Sequence, residues 1–225
     1  MSSKPFPSLE LELSLAARFG CRFVVGVDEV GRGAIAGPVI VGVAVIDLSQ
    51  TPTPWPTGLQ DSKLLSEPKR DAIAPLVADW VAGWAVGDAS VEEIETVGIT
   101  RALAIAAKNA LGRLSVPELT RANTILLLDG KHNWLAPVSG GVPVVTQVKA
   151  DQTAVIVSCA SVLAKVHRDG IMREKDTEFA PYGFAGNKGY AAATHIEALR
   201  AIGPSEFHRL SWLTKILQSD DTPTT

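Results

Sequence analysis

Four carboxylates stand just beyond short apolar runs. Asp28 and Glu29 end the run that begins at Phe23, and Gly31-Arg32-Gly33 follows them directly. Asp129 closes residues 123–128, and Asp151 comes shortly after residues 144–148. An isolated acidic pair at a strand end is most simply a solvated turn. Asp129 and Asp151 favour a second reading, because strand ends on one edge of a sheet converge in space however far apart they lie in sequence. Four carboxylates at one rim repel one another and need a compensating cation. All-oxygen donors suit Mg²⁺ or Mn²⁺, with substrate phosphates completing the shell. Two such ions can activate a water for in-line attack and stabilise the leaving oxygen, as phosphodiester hydrolysis requires.

Other chemistries fail on spacing. A phosphate-binding loop running from Gly26 would put Arg32 where lysine is needed, and Asp28 and Glu29 where phosphate oxygens lie. Gly31, Gly33 and Gly37 miss the dinucleotide pattern by one residue. His132, His167, His195 and His208 are scattered and read as surface or structural histidines, not zinc ligands. Cys21 and Cys159 are too few for a disulfide framework, which fits a reduced, cytoplasmic setting. Glu10 and Glu12 interrupt any apolar leader, and the apolar run 37–46 is far short of the roughly 20 residues of a membrane span. No membrane partner is expected.

Charge is distributed unevenly. Residues 1–129 carry 11 Lys/Arg against 15 Asp/Glu, and residues 130–219 carry 10 against 7, within a net charge of −3. An acidic chain argues against a polyanion partner unless some carboxylates hold cations.

The elements that must position these groups follow from pattern. Runs 23–28 and 38–46 read as neighbouring buried strands joined by a glycine-rich connection. Prolines make 51–58 a surface loop. A helix is expected over 66–80, with Pro75 kinking it or ending it early. A strand at 84–87 leads to a capping box at Ser90–Glu93, and an Ala/Leu pattern carries helix on from 98 to 114. Strands at 123–128 and 144–148 precede a long helix over 153–175, apolar nearly all round in its first half and therefore buried. A shorter helix covers 194–202, and 220–225 reads as a frayed tail. The alternation implies an α/β fold, one mixed sheet covered by helices.

At this point the run Gly26-Val27-Asp28-Glu29-Val30-Gly31-Arg32-Gly33-Ala34-Ile35-Ala36-Gly37-Pro38-Val39 closely resembles the signature of prokaryotic ribonuclease HII. The likeness recurs in order at Asp61-Ser62-Lys63-Leu64-Leu65, Leu128-Asp129-Gly130, Lys149-Ala150-Asp151, residues 160–166, Gly189-Tyr190, Gly203-Pro204 and residues 208–212. The resemblance implies a ribonuclease H-like fold with a small C-terminal helical part, here a single domain over 1–217 with that part at about 193–217; residues 218–225 read as a disordered tail. It implies a Mg²⁺- or Mn²⁺-dependent endonuclease that cuts the RNA strand of RNA/DNA hybrids. The same enzymes incise 5′ to single ribonucleotides in duplex DNA, leaving 3′-hydroxyl and 5′-phosphate ends. Carried over by position, the catalytic and metal-holding acids are Asp28, Glu29, Asp129 and Asp151. Gly31, Arg32 and Gly33 would sense the ribose 2′-hydroxyl and adjacent phosphate, and Tyr190 the sugar on the DNA side of the junction. Glycines let a backbone approach a ligand closely, and the 2′-hydroxyl is what distinguishes RNA from DNA.

This sequence departs from the family at Ala150, where glycine is usual before the last acid, at Ala34, where many members have proline, and at Trp212, commonly phenylalanine. Arg32 reads as a phosphate contact or a carboxylate partner, against the plainer alternative of a solvated turn residue. Lys63 can touch the nucleic-acid backbone. Lys165, in an apolar helix, can pack its stem and pair with an active-site acid. His208 and Arg209 can track phosphates or serve structure. A monomer is the default. The remaining alternatives are another ribonuclease H-like nuclease and a hybrid-binding module without catalysis.

Overall fold

The computed structural model describes residues 6–50 and 54–218; residues 1–5, 51–53 and 219–225 lie outside the description, and with them part of the proline-rich loop and all of the expected tail but Gln218, which ends the last helix. Five strands form one mixed sheet in the order β3-β2-β1-β4-β5, where β1 is Phe23–Val30, β2 Val39–Asp47, β3 Gly83–Ala89, β4 Thr124–Asp129 and β5 Val144–Gln147. β1 pairs antiparallel with β2 and β2 with β3, whereas β4 and β5 run parallel to β1. The parallel trio therefore delivers its C-terminal ends to one edge, as the acidic pattern requires.

The helices described are α1 (Glu10–Phe19), α2 (Glu67–Trp80), α3 (Val91–Val97), α4 (Ile99–Arg113), α5 (Ala150–Thr153), α6 (Val155–Asp176), α7 (Phe184–Asn187), α8 (Ala193–Ile202) and α9 (Leu210–Gln218). One apolar cluster joins the sheet to α6, α2 and α1, and a second joins its other face to α4. β1 and β2 are buried on both faces, which is why they read as continuous Val/Ile runs without alternation. α6 lies close against them because Gly26 and Gly42 carry no side chain. A Cβ at either would sit 2.5 Å from a main-chain oxygen of α6, Ile156 or Ala160.

Three local readings change. Pro75 lies within α2 without ending it. It is on the exposed face, between Ala74 and Leu76, so the carbonyl it frees at Asp71 meets solvent. The helix expected to run on through 98 breaks there, with Gly98 at φ 77° separating α3 from α4; the Ser90–Glu93 capping box forms as expected. The long helix begins at Val155, after a one-turn α5 and the extended Ala154.

A third apolar cluster, of Ile35, Ala36, Met172, Tyr182, Phe184, Leu199 and Leu213, packs the C-terminal helices against the loop after β1. That cluster ties the chain's end to the Gly31–Gly33 segment.

Candidate active site

A cleft of about 530 Å³ opens at the C-terminal edge of β1 and β4, lined by Asp28, Glu29, Gly31, Arg32, Gly33, Lys63, Asp129, Lys165 and Tyr190 among others. Asp151 stands behind that lining in the first turn of α5, its Oδ2 accepting from Lys63 Nζ at 2.8 Å. The Asp129 carboxylate is fixed by the Ala150 amide, which donates to Oδ1 at 2.7 Å. Ala150 is buried and begins α5 without a left-handed backbone; Lys149 before it carries φ 59°, so the left-handed residue of this turn is the lysine and not the alanine.

Burial dominates the electrostatics. Asp28 is 4% exposed, and burial first, then the neighbouring Glu29 charge, pushes its pKa well above the usual carboxylate range. Burial likewise raises Glu29, partly offset by Arg32, whose Nη1 donates to Oε1 at 3.1 Å. Asp129 is raised by burial and then by Asp151. Glu29 Oε2 is buried with no hydrogen-bond partner. Burial alone would lower the pKa of Lys63, yet its hydrogen bond to Asp151 and the charge of Asp28 outweigh burial and hold the ammonium more firmly than usual.

These observations test a divalent cation. The donor set is all carboxylate oxygen, one oxygen is buried and orphaned, and the acids are held at a collective cost that a hard cation relieves, so the residues fit the group. Among the described residues no three His, Cys, Asp or Glu are already drawn into a coordinating group; Lys63 and Arg32 serve as the counter-cations of Asp151 and Glu29.

The remaining candidates divide. Gly31 adopts φ 81°, and a Cβ there would lie 2.1 Å from Arg168 Nε, so both conformation and space demand glycine. Gly33 faces open space. Tyr190 is 38% exposed on the cleft wall, its ring 5.7 Å from the Arg168 guanidinium. Lys165 lines the cleft but pairs with Asp169 in its own helix, not with one of the four acids.

His208 and Arg209 do not track phosphates: they are 1% and 0% exposed. Arg209 donates instead to the carbonyls of Gly31 (2.7 Å), Arg32 (3.1 Å) and Gly37 (2.9 Å), and its guanidinium lies 5.1 Å from the Trp212 ring. His208 pairs with His195, which spacing had left scattered. Sequence reasoning missed Arg168, which donates to Ala36, Pro38 and Lys188 carbonyls, and the Ser62–Ser161 hydroxyl pair at 2.8 Å, whose Ser161 bonds Asp28. A polar residue on the apolar face of α6 was the available signal for both Ser161 and Arg168.

Comparison with known proteins comes from sequence and structure alike. A family model described as Ribonuclease HII matches residues 25–215. A Ribonuclease HII of Streptomyces avermitilis is 46% identical over 208 residues, covering 92% of this chain and 83% of the relative. The ribonuclease H2 from Pyrococcus horikoshii OT3 superposes with TM-score 0.70 at 26% identity, over 88% of this chain and 98% of that one. A Bst-RNase HIII in complex with Mn²⁺ shares the fold, with TM-score 0.63 at 22% identity over 84% of this chain and 65% of that one.

Proposed function

The chain belongs to the ribonuclease HII family, endonucleases that hydrolyse RNA in RNA/DNA hybrids, and from that premise we propose that Asp28, Glu29, Asp129 and Asp151 are its catalytic and metal-holding residues. The observation that carries the assignment is the buried, unpartnered Glu29 Oε2 in a cleft shared with Asp28 and Asp129. Native structures seldom leave a buried carboxylate oxygen unpaired unless something else binds it.

Mg²⁺ or Mn²⁺ is the cofactor proposed; the Mn²⁺ of the Bst-RNase HIII complex supports that class of ion. Asp28, Glu29, Asp129 and Asp151 would hold the ion, which would supply a nucleophilic water and stabilisation of the leaving oxygen. The chain's own residues do the positioning. The Ala150 amide fixes Asp129, and Ser161 orients Asp28. Arg32 and Lys63 neutralise the rim until a substrate phosphate enters and then turn to it. Gly31 and Gly33 bring main chain against the ribose, where the 2′-hydroxyl is read, and Tyr190 contacts the sugar on the DNA side. Incision falls 5′ to the ribonucleotide, leaving 3′-hydroxyl and 5′-phosphate ends. Residues 1–217 act as one catalytic unit, a monomer working in the cytoplasm on hybrids and on ribonucleotide-containing duplex DNA.

The test is cleavage of end-labelled duplexes, one a continuous hybrid and one with a single embedded ribonucleotide, with and without Mg²⁺. Metal-dependent incision 5′ to the ribonucleotide is expected. Binding of either duplex with no cleavage in Mg²⁺ or Mn²⁺ would overturn the assignment and leave a binding module.

A further inference from the structure

We propose that His195 and His208 form a directional hydrogen-bond relay whose task is to hold Tyr190 over the cleft, which makes His195 a positioning residue for junction recognition. The functional half of this proposal rests on the role given to Tyr190 above.

Both ends of the relay have fixed polarity. At one end the Tyr190 carbonyl can only accept, and His195 Nδ1 lies 2.8 Å from it, so Nδ1 carries the hydrogen. At the other end the Ser205 amide can only donate, and it points at His208 Nδ1 at 3.0 Å, so that nitrogen is bare. The two Nε2 atoms are 2.9 Å apart. With both rings neutral, one assignment satisfies every contact: the Ser205 N–H and its hydroxyl, 2.9 Å away, to His208 Nδ1, His208 Nε2–H to His195 Nε2, and His195 Nδ1–H to the Tyr190 carbonyl. A proton added to either ring would set two donors against each other. Burial accordingly lowers the pKa of both histidines, that of His208 to about 4.

A histidine pair placed only to fill space would not need this polarity. The rings already pack against aromatics, His208 at 4.5 Å from Tyr182 and His195 at 5.4 Å from Phe184. What the polar atoms add is a grip on one carbonyl. Tyr190 is otherwise held by the turn bond from the Ala192 amide, by Asn187, and by Arg168 near its ring. The chain on either side of it tightens the placement: Gly189 O accepts from the Ile35 and Ala36 amides, joining this turn to the loop after β1. Tyr190 is thus exposed at its ring and anchored at its backbone, the arrangement needed to contact a sugar without drifting.

The experiment uses the full chain in three forms. In the wild type, nitrogen-15 spectra of the histidine rings should show the Nδ1–H tautomer for His195 and the Nε2–H tautomer for His208; any other pair of tautomers overturns the relay. The chain has only two tyrosines, Tyr182 and Tyr190, so 3-fluorotyrosine labelling gives two fluorine resonances, assigned with Tyr190→Phe. His195→Phe keeps the ring shape and removes both polar atoms, whereas His195→Gln keeps one donor and one acceptor. In His195→Phe the Tyr190 resonance should move toward that of an unstructured tyrosine. Cleavage at a single ribonucleotide relative to a continuous hybrid should fall about ten-fold, a misplacement effect. His195→Gln should preserve both readouts, and His195→Phe in a Tyr190→Ala background should lower the ratio no further. An unmoved Tyr190 resonance in His195→Phe, or equal losses in the Phe and Gln variants, would sink the proposal. If Tyr190→Ala alone leaves the ratio unchanged, the junction role of Tyr190 falls, while the tautomers and the fluorine resonance still decide whether the relay holds it. If His195→Phe does not fold, the tautomers decide.

Discussion

The rim of acids and the loop braced behind it treat buried charge in opposite ways. At the rim, Asp28, Glu29 and Asp129 are all pushed toward the protonated form by burial, and one Glu29 oxygen has no partner. Behind it, Arg168 and Arg209 are fully buried, and each guanidinium is spread over three main-chain carbonyls. A polar group left short of partners is poised to bind something; one that is saturated fixes a shape. The loop carrying Gly31-Arg32-Gly33 belongs to both regions: saturated arginines hold its backbone from behind, and its front faces the cleft.

The largest expected effect lies at the rim. Asp129→Asn and Asp151→Asn keep the side-chain shape and remove a charged ligand, so cleavage in saturating Mg²⁺ should fall on the order of 10³-fold. Folding should survive in both, and for Asp129→Asn the urea midpoint measured without metal should stay equal or rise, because burial and the Asp151 charge already disfavour its ionised form. Wild-type turnover in either variant would remove that residue from the catalytic set.

The braced region should respond in stability first. Arg209→Met takes the guanidinium donors from the buried carbonyls of Gly37 and Gly31, the latter keeping only the Ala34 amide, and a loss of about 3–4 kcal/mol is expected in urea unfolding. Arg209→Lys should recover little, since an ammonium cannot reproduce a planar fork that reaches three carbonyls. A loss below about 1 kcal/mol would mean that the loop holds its shape without the clamp.

How far the sequence discloses each region follows the same division. The acids are legible because short Val/Ile/Leu runs ending in Asp or Glu mark strand ends, and parallel β1, β4 and β5 must bring those ends together. The brace is not legible, because its contacts join residues far apart whose local surroundings are ordinary. Arg168 meets Ala36 across 132 positions, and His208 sits in a stretch where phosphate tracking was an equally good reading. Part of the basic character of residues 130–219 is internal for the same reason: Arg168, Lys188 and Arg209 are buried and turned to main-chain carbonyls, Lys188 also to Glu67. Pro75 misled differently, since a rule about lost hydrogen bonds says nothing of which face carries the loss.

Glu12 tests the contrast away from the cleft. Fully buried in α1, it accepts the Ile156 amide at 2.8 Å and so caps the start of α6 from another helix, while its Oε2 has no partner. Burial raises its pKa to about 7, partly offset by that backbone bond. A group with a raised folded pKa contributes stability below its unfolded value, near 4.5, and loses it as pH rises through about 7. Glu12→Gln does not titrate. The variant should therefore gain on the wild type between pH 5 and pH 8, by on the order of 2 to 3 kcal/mol, in paired urea titrations. A pH-independent difference would show that the folded pKa of Glu12 is not raised above its unfolded value.

The smallest effect separates the two regions by salt. Arg32 is 44% exposed, beside Glu29 at the cleft mouth, whereas Arg209, 177 positions later in the chain, is sealed behind the same loop. Each phosphate contact releases counterions, so log affinity should fall with log salt by about 0.9 per contact on duplex substrates. If Arg32 leaves Glu29 for a phosphate, Arg32→Gln should lower that slope by about one and weaken binding only a few-fold, measured with Ca²⁺ in place of Mg²⁺ to suppress cleavage. The same measurement on Arg209→Lys, at a temperature where it remains folded, should leave the slope unchanged, because a buried cation exchanges no counterion with the solvent. Equal slopes for wild type and Arg32→Gln would assign Arg32 to holding Glu29 alone, and place the outward-facing charge of the cleft on Lys63.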